Sequence, residues 1–305
     1  MAKIDLNGTK LGNAKIKSFE TVGRERPLTA EMLRETYMLS ALQLTIALSA
    51  NPFIGTIWLP GNKVQWTLVP KWPTSPPLYF PTDRSLNNSQ ARAVGTILSN
   101  KDKDRVVVIQ GPPGTGKTTV IAATVTSTMK FGDRSRTIWL VAHSNVAVKN
   151  IAEKLASVKF LDFKILVSKD FHYDWYVRRN PFDQSLDVNP VQIPSYRHEH
   201  LYEEIIENLI RSDDFPPDLV AAERRLAGSR VILCTLSMLS NDKLATFARL
   251  VPLQTVIFDE ASQIEIGAYF PMLVQFRPTL RKLVFIGDDK QCTSTLRGMS
   301  FGLVV

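Results

Sequence analysis

Short apolar runs alternate with stretches of helical periodicity over most of the chain after residue 84. The runs are rich in β-branched and aliphatic residues, as in strands buried on both faces. They predict strands over residues 105–109, 137–142, 164–167, 230–234, 255–259 and 282–286, with helices over 119–129 and 145–156. Such alternation predicts an α/β fold, a parallel sheet with helices on both faces and a ligand site at the carboxyl ends of the strands.

The first 84 residues follow a different pattern. A helix is predicted over 29–49, and its apolar part, 41–50, is too short to cross a bilayer and is expected to be buried. Two strand candidates, 55–59 and 64–69, flank a Pro-Gly-Asn turn and predict a β-hairpin. These elements predict an N-terminal accessory region over residues 1–69.

Prolines recur between residues 70 and 81, which predicts a linker over 70–84, because proline stops helices and central strands. The α/β domain is then expected over 85–305. Trp58, Trp66 and Trp72 could stack on bases, but tryptophans on short strands are more often part of a core.

Strand and helix alternation breaks between residues 170 and 228, which predicts an insertion with helices over 198–212 and 218–227. Arg178 and Arg179 lie beside Tyr176, and this combination of charge and aromatic surface makes the arginines candidate nucleic-acid contacts. An ordinary solvated basic turn would have the same composition.

Between the first predicted strand and the next helix, residues 111–118 read Gly-Pro-Pro-Gly-Thr-Gly-Lys-Thr. In such a loop, backbone N–H groups and the helix N-terminus attract nucleotide phosphates. Lys117 is expected to neutralise the β- and γ-phosphates, and the hydroxyl of Thr118 to coordinate Mg²⁺. A Gly/Pro turn that binds nothing is the alternative. The nucleotide-binding residues predicted from this loop are Gly111, Pro112, Pro113, Gly114, Thr115, Gly116, Lys117, Thr118 and Thr119.

Two later strands end in polar residues that suit phosphoryl chemistry. Asp259 is predicted to hold Mg²⁺, and Glu260 to accept a proton from the attacking water. After strand 282–286, Gln291 could contact the γ-phosphate and report its loss, although a polar turn would look the same. Lys117, Glu260 and Gln291 are therefore the predicted catalytic residues.

In chain order these segments resemble the motifs of superfamily 1 helicases, in particular the RNA-surveillance and senataxin-like subgroup. Residues 86–94 look like the family's adenine-reading motif, in which Gln90 would bind the base. Residues 141–148 and 231–235 resemble segments that face nucleic acid. The resemblance implies nucleic-acid contacts by Ser144, Asn145, Val148 and Thr235.

The resemblance also implies a RecA-like P-loop NTPase fold, ATP and Mg²⁺ as cofactors, and single-stranded RNA or DNA as partner. The match has departures, since His143 replaces a usual proline and Cys292-Thr293-Ser294 replaces Leu-Pro-Pro. The family's second RecA-like domain, with its arginines, has no counterpart up to Val305. We therefore expect an ATP-binding motor domain that is incomplete and weakly active by itself.

Composition agrees with this interpretation. A formal net charge of +8 favours polyanionic partners, although many proteins without nucleic-acid roles carry a similar excess. Two cysteines without a Cys/His cluster argue against a disulfide framework or a zinc module. No membrane span or signal core is recognisable, so the expected location is the cytoplasm or the nucleus.

Two other functions stay open at this point. One is an AAA+-like protein-remodelling ATPase, in which the same phosphate loop is common, but which lacks a residue like Gln90 and more often has Asn at the last strand end. The other is a non-catalytic nucleotide or nucleic-acid binding fragment.

Overall fold

Seven parallel strands form one sheet in the structure, a computed structural model that describes residues 29–59, 64–67, 69–81, 85–169 and 204–288. The strand order is β1-β7-β6-β2-β5-β3-β4, and every neighbouring pair is parallel. The strands are β1 (Val106–Gln110), β2 (Ile138–Ala142), β3 (Lys164–Val167), β4 (Leu209–Arg211), β5 (Val231–Thr235), β6 (Thr255–Asp259) and β7 (Lys282–Gly287). The α/β RecA-like fold is therefore confirmed.

Several α-helices accompany the sheet in this part of the chain. Several begin at a capping side chain: Asn87 forms a capping box with Gln90, and the side chains of Ser144 and Asp218 accept backbone N–H bonds of the helices that follow them. The helices are α1 (Thr29–Leu42), α2 (Pro52–Trp58), α3 (Asn88–Leu98), α4 (Lys117–Phe131), α5 (Asn145–Ser157), α6 (Leu219–Leu226), α7 (Ala245–Leu250) and α8 (Phe270–Gln275).

Apolar side chains cover both faces of the sheet. One cluster joins α3, α4 and α5 to the sheet, and the other joins α2, α6, α7 and α8 to the opposite face. Strand β2 shows why the sequence run is continuous: Leu140 packs into the first cluster and Trp139 into the second, and all five residues of the strand are buried. A central strand with two buried faces has no polar alternation.

The β-hairpin predicted in the accessory region is wrong. Residues of the first strand candidate belong to helix α2, and residues 64–67 and 69 form no strand. The side chain of Asn51 accepts bonds from the N–H groups of Phe53 and Ile54, and Pro52 occupies the first turn, where a missing N–H costs nothing. Phe53, Ile54 and Ile57 are buried at helical spacing.

Helix α1 also departs from prediction. It ends at Leu42, and the side chains of Leu42 and Leu44 are 82% and 87% exposed, so the stretch 41–50 is neither one helix nor buried.

The predicted insertion overlaps the sheet. Residues 209–211, expected to end a helix, form strand β4 and pair with β3. Ile205 and Ile210 are buried, so the α/β core has resumed by residue 205. A three-residue strand is too short to show a period of its own, and helix and strand patterns overlap in short apolar runs.

The proline-rich linker crosses the amino ends of several strands. Trp72 is only 8% exposed, and the guanidinium groups of Arg136 and Arg281 lie 4.6 and 4.0 Å from its ring centre. Farther along, the backbone of Tyr79 bonds with the hydroxyls of Thr126 and Ser127 on α4. The core interpretation of Trp72 is confirmed, and the linker fastens α4, the helix that follows the phosphate loop.

No helix in the described ranges has both the length and the apolar character needed to span a membrane.

Candidate nucleotide-binding site

The candidate site residues lie along one edge of the sheet, where all the parallel strands have their carboxyl ends. Strand order places the loop after β1, the turn after β7 and the acids at the end of β6 in sequence along this edge. The ends of β2 and β5 continue the row. With strands about 4.8 Å apart, β1 and β6 are about 10 Å apart, a span suited to a phosphate chain with its metal ion.

The phosphate loop joins β1 to α4 and depends on glycine at two kinds of position. Gly114 and Gly116 have φ angles of +79° and +85°, a region that other residues adopt only with strain. At Gly111 a Cβ would lie 2.7 Å from Oγ1 of Thr115, so the backbone packs too closely for a side chain.

Lys117 folds back over its own loop. Its Nζ donates to the carbonyl oxygens of Gly111 and Pro112 at 2.7 and 3.2 Å. The ammonium group thus lies beside the loop where phosphates are expected, and its hydrogen bonds to described residues go to carbonyl oxygens that an anion could replace. Thr118 and Thr119 lie in the first turn of α4, where the positive end of the helix dipole favours an anion, although the N–H of Thr119 already donates to the Gly116 carbonyl at 2.9 Å.

Gln90 contacts this loop directly. Its Oε1 accepts from the N–H of Asn87, and its Nε2 donates to the carbonyl of Thr115 at 2.9 Å. A Cβ on Gly116 would lie 2.4 Å from the same Nε2. The amide that the sequence predicts to read the base is therefore held beside the phosphate loop.

Asp259 ends β6 in a buried setting, with 7% of its surface exposed. Its Oδ1 accepts from the N–H of Glu260 at 3.0 Å, and within the described residues its carboxylate forms no salt bridge. Burial raises the pKa of Asp259 to about 6, and the nearby Glu260 charge adds to this rise while Lys117 opposes it. A buried carboxylate without a counter-ion fits a Mg²⁺ ligand, since Mg²⁺ prefers such oxygens.

Glu260 is less buried and has a φ of +53°. This left-handed conformation is unusual for a glutamate and turns the chain sharply between the strand and the 3₁₀ turn Ala261–Gln263.

The end of β7 packs on this turn through a contact that sequence reasoning missed. Ser262 lies against Gly287, where a Cβ would be 3.0 to 3.2 Å from three atoms of the serine, and its Oγ accepts from the N–H of Asp288. The sequence shows Ser262 within Asp-Glu-Ala-Ser-Gln, but only the strand order shows that this serine packs on Gly287. Gln291 lies outside the described residues, so its role stays a prediction.

The predicted nucleic-acid residues divide into two groups. Ser144 caps α5 through its bond to the N–H of Ala147, and Asn145 begins the helix; both are partly exposed at the carboxyl edge. At the end of β5, Thr235 is also partly exposed and its hydroxyl lies 3.0 Å from that of Ser237.

Val148 does not belong with these residues. Only 1% of its surface is exposed, because it occupies the sheet-facing side of α5 with Ala147 and Ile151. The predicted contact by the Val148 side chain is therefore wrong in this conformation, and the exposed apolar residue of the motif is Val146, at 65%. Arg178 and Arg179 lie outside the described residues.

A glycine-rich loop between a strand and a helix, with acids at the end of the next strand but one in a parallel sheet, defines a P-loop nucleotide-binding protein. Comparison of sequences specifies the family. A family profile described as "AAA domain" matches residues 85–170 and 197–297, more than half of the chain.

Several proteins are similar to the same region. SMUBP-2 of Rattus norvegicus, named a DNA-binding protein, is 28% identical over 240 residues, which is 72% of this chain and 23% of that protein. The ATP-dependent helicase upf1 of Schizosaccharomyces pombe is 27% identical, over 73% of this chain and 24% of that helicase. Regulator of nonsense transcripts 1 of Caenorhabditis elegans is 28% identical, over 68% and 18%. The chain thus spans about a fifth to a quarter of the length of these relatives.

The chain belongs to this AAA-domain family, within the RNA-surveillance and senataxin-like subgroup of superfamily 1 helicases. The resemblance inferred from the order of the motifs is confirmed. Among solved structures, the UvsW helicase of bacteriophage T4 is 10% identical with a TM-score of 0.42, covering 70% of this chain and 57% of the other, which is too low a similarity to carry an argument.

Proposed function

We propose that this chain binds Mg·ATP at the carboxyl edge of the sheet and hydrolyses it, as the ATP-binding part of a helicase that moves along RNA or DNA. The observation that carries the proposal is the placement of an intact phosphate loop at the end of β1 and, at the end of β6, a buried Asp259 that forms no salt bridge with the described residues. One group receives phosphate and the other receives a cation.

Each residue has a separate role in this proposal. The loop N–H groups and Lys117 bind the phosphates, while Thr118 and Asp259 would hold Mg²⁺, which supplies charge neutralisation when it is bound. Glu260 accepts the proton of the attacking water. Gln90 hydrogen-bonds the base, and its bond to the Thr115 carbonyl keeps base and phosphate recognition together.

Nucleic acid would contact the part of the same edge formed by the ends of β2 and β5. Ser144, Asn145 and Thr235 present polar groups there, and the exposed Val146 offers an apolar surface to a base. Single-stranded RNA or DNA is the proposed partner, with little sequence preference. This activity implies a compartment that contains nucleic acid, either the cytoplasm or the nucleus.

The Gln90 contact also favours a helicase over a protein-remodelling ATPase. The family description alone does not separate the two, because both use this phosphate loop. A glutamine one helix upstream, capped into place and bonded to the loop, is the feature that the remodelling class lacks. The similar proteins cited above are named for helicase activity, DNA binding or nonsense transcripts, which supports the same choice.

A second RecA-like domain, in the same polypeptide or another, would complete the proposed motor. Arginines supplied to P-loop sites from outside accelerate turnover by about 10³–10⁵-fold in related phosphoryl-transfer systems. We therefore expect the 305 residues alone to bind ATP, to hydrolyse it slowly and to separate no strands. Adding a matching second domain should raise the hydrolysis rate by orders of magnitude.

The test compares Lys117→Ala and Glu260→Gln with the parent chain. Lys117→Ala should lose binding of a fluorescent ATP analogue while the fold survives, and Glu260→Gln should keep binding and lose hydrolysis. Lys130→Ala is the matched control, because Lys130 lies at the other end of α4 over the Tyr79 ring. Unchanged ATP binding in Lys117→Ala would refute the site, and hydrolysis by Glu260→Gln at the parent rate would refute the role of the glutamate.

Nucleic-acid binding is tested separately by its salt dependence. Affinity for a single-stranded oligonucleotide should fall steeply between about 50 and 200 mM salt, since phosphate contacts release counterions. Affinity that does not change over this range would contradict the charged contact surface and favour the remodelling alternative.

A further inference from the structure

Tyr269 is a buried residue whose hydroxyl reaches the loop that carries the two candidate acids. Its side chain is 4% exposed, and its OH donates to the carbonyl oxygen of Ala261 at 3.0 Å. Its ring contacts Phe258 on β6 and Phe285 on β7, with ring centres 4.8 and 5.2 Å away. The ring therefore packs on two strands, and among the described residues the hydroxyl has the Ala261 carbonyl as its hydrogen-bond partner.

That partner lies immediately after Glu260. The turn begins with Glu260 in the left-handed region, continues through Ala261, and rests on β7 where Ser262 meets Gly287 and Asp288. A non-glycine residue in this region carries strain and persists only where neighbouring contacts hold it. The turn is held by its own backbone bonds and by the bond from the Glu260 N–H to Asp259, and from outside it is contacted by the Tyr269 hydroxyl and by the packing of Ser262 on β7.

We propose that Tyr269 is a positioning residue for ATP hydrolysis, which holds the turn so that the Glu260 carboxylate faces the attacking water. The inference deepens the proposed function and rests on it. Tyr269 touches neither phosphate nor metal ligand in this arrangement. It acts only through the Ala261 carbonyl, and its aromatic packing supplies the rigid base from which the bond is made.

Removing the hydroxyl alone separates these two contributions. Phenylalanine keeps the ring contacts with Phe258 and Phe285, so the fold is retained, but the Ala261 carbonyl loses the shorter of its two hydrogen bonds and keeps the N–H of Ile264, at 3.2 Å, as a donor. The turn then samples other conformations and Glu260 spends less time in place. Nucleotide binding depends on the loop after β1 and should not change.

The experiment measures Tyr269→Phe beside the parent chain, with Tyr79→Phe as the matched control. Tyr79 lies on the linker and contacts the far end of α4, remote from Glu260. We expect Tyr269→Phe to lower kcat three- to tenfold, up to about 1.4 kcal/mol in the barrier. The Kd of the ATP analogue should stay within twofold, and amide hydrogen exchange of residues 260–263 should become faster. Tyr79→Phe should change none of these.

A kcat of Tyr269→Phe within twofold of the parent overturns the proposal. So does a loss of nucleotide affinity as large as the loss of kcat, because that pattern belongs to general damage. If the parent chain hydrolyses no faster than Glu260→Gln, the proposed function fails instead, and the exchange rates alone decide the role of Tyr269. Unchanged exchange at residues 260–263 would then refute it.

Discussion

Asp259 should make the metal-free protein less stable at neutral pH than its asparagine variant. In Asp259→Asn the side chain keeps its shape, and its Oδ1 can still accept from the N–H of Glu260. The variant loses only the charge. Since the carboxylate is buried and unpaired within the described residues, ionising it in the folded protein costs free energy that the unfolded chain does not pay.

The size of the effect follows from the pKa. Burial raises the pKa of Asp259 from 3.8 to about 6 in the folded protein. A carboxyl group with a raised pKa contributes stability that is fully present below about pH 4 and is lost as the pH rises through about 6. At about 1.4 kcal/mol per pKa unit, the loss is about 3 kcal/mol by pH 7. The asparagine side chain at this position does not titrate, so the variant should not lose this contribution over the same pH range.

Urea unfolding with EDTA, at pH values from 4 to 8, measures the difference in unfolding free energy between the two proteins. This difference should change by about 3 kcal/mol in favour of Asp259→Asn between pH 4 and pH 7. Mg·ATP at 1,000 times its Kd should then reverse the order, because it stabilises only the binding-competent protein, by about 4.1 kcal/mol. A pH-independent difference in EDTA would refute the buried-charge reasoning, and equal stabilisation of both proteins by Mg·ATP would refute the metal role.

Three further predictions concern other parts of the fold. Gly116→Ala should weaken ATP binding and reduce the preference for ATP over GTP, because its Cβ would meet Nε2 of Gln90. Gly114→Ala has a similar φ but open space around the new Cβ, so it should show only the effect of backbone strain. Nucleotide titrations of both variants measure the difference, and equal effects would contradict the prediction. Lys282 donates to carbonyl groups at the end of α3, and burial lowers its pKa to about 7. In urea unfolding, the stability of the parent chain relative to Lys282→Met should therefore rise between about pH 7 and 10. A difference in unfolding free energy that does not change with pH would contradict this. Trp72→Ala should cost about 3–5 kcal/mol in urea unfolding, as for other buried tryptophans, and a loss below about 1 kcal/mol would show that the linker does not stabilise the domain.

The strands of the sheet were predictable because their signal is local and strong. Strands β3 and β6 begin and end at the predicted residues, since each is a short apolar run with polar neighbours. The accessory region shows the limit of the same approach. Residues 55–59 have strand-like composition, but the cap formed by Asn51 and Pro52 and the burial of one helical face outweigh it.

The phosphate loop could likewise be inferred from sequence, because its chemistry depends on consecutive residues. Glycine at 114 and 116 permits the backbone that the loop requires, and Lys117 follows at a set distance. The acids at 259 and 260 were found because they follow a recognisable strand. Local sequence was therefore sufficient to propose a nucleotide, a metal ion and a hydrolytic role.

Contacts between distant segments needed the tertiary structure. Sequence does not state that β7 lies between β1 and β6, so it could not predict that Ser262 packs on Gly287 or that the Tyr269 hydroxyl reaches Ala261. Nor could a motif pattern tell that Val148 faces the sheet. Residue type and spacing determine which backbone conformation and which chemistry a segment can have. The order of the strands and the packing of the helices decide which side chains meet, because strand order and helix packing depend on burial summed over the whole chain.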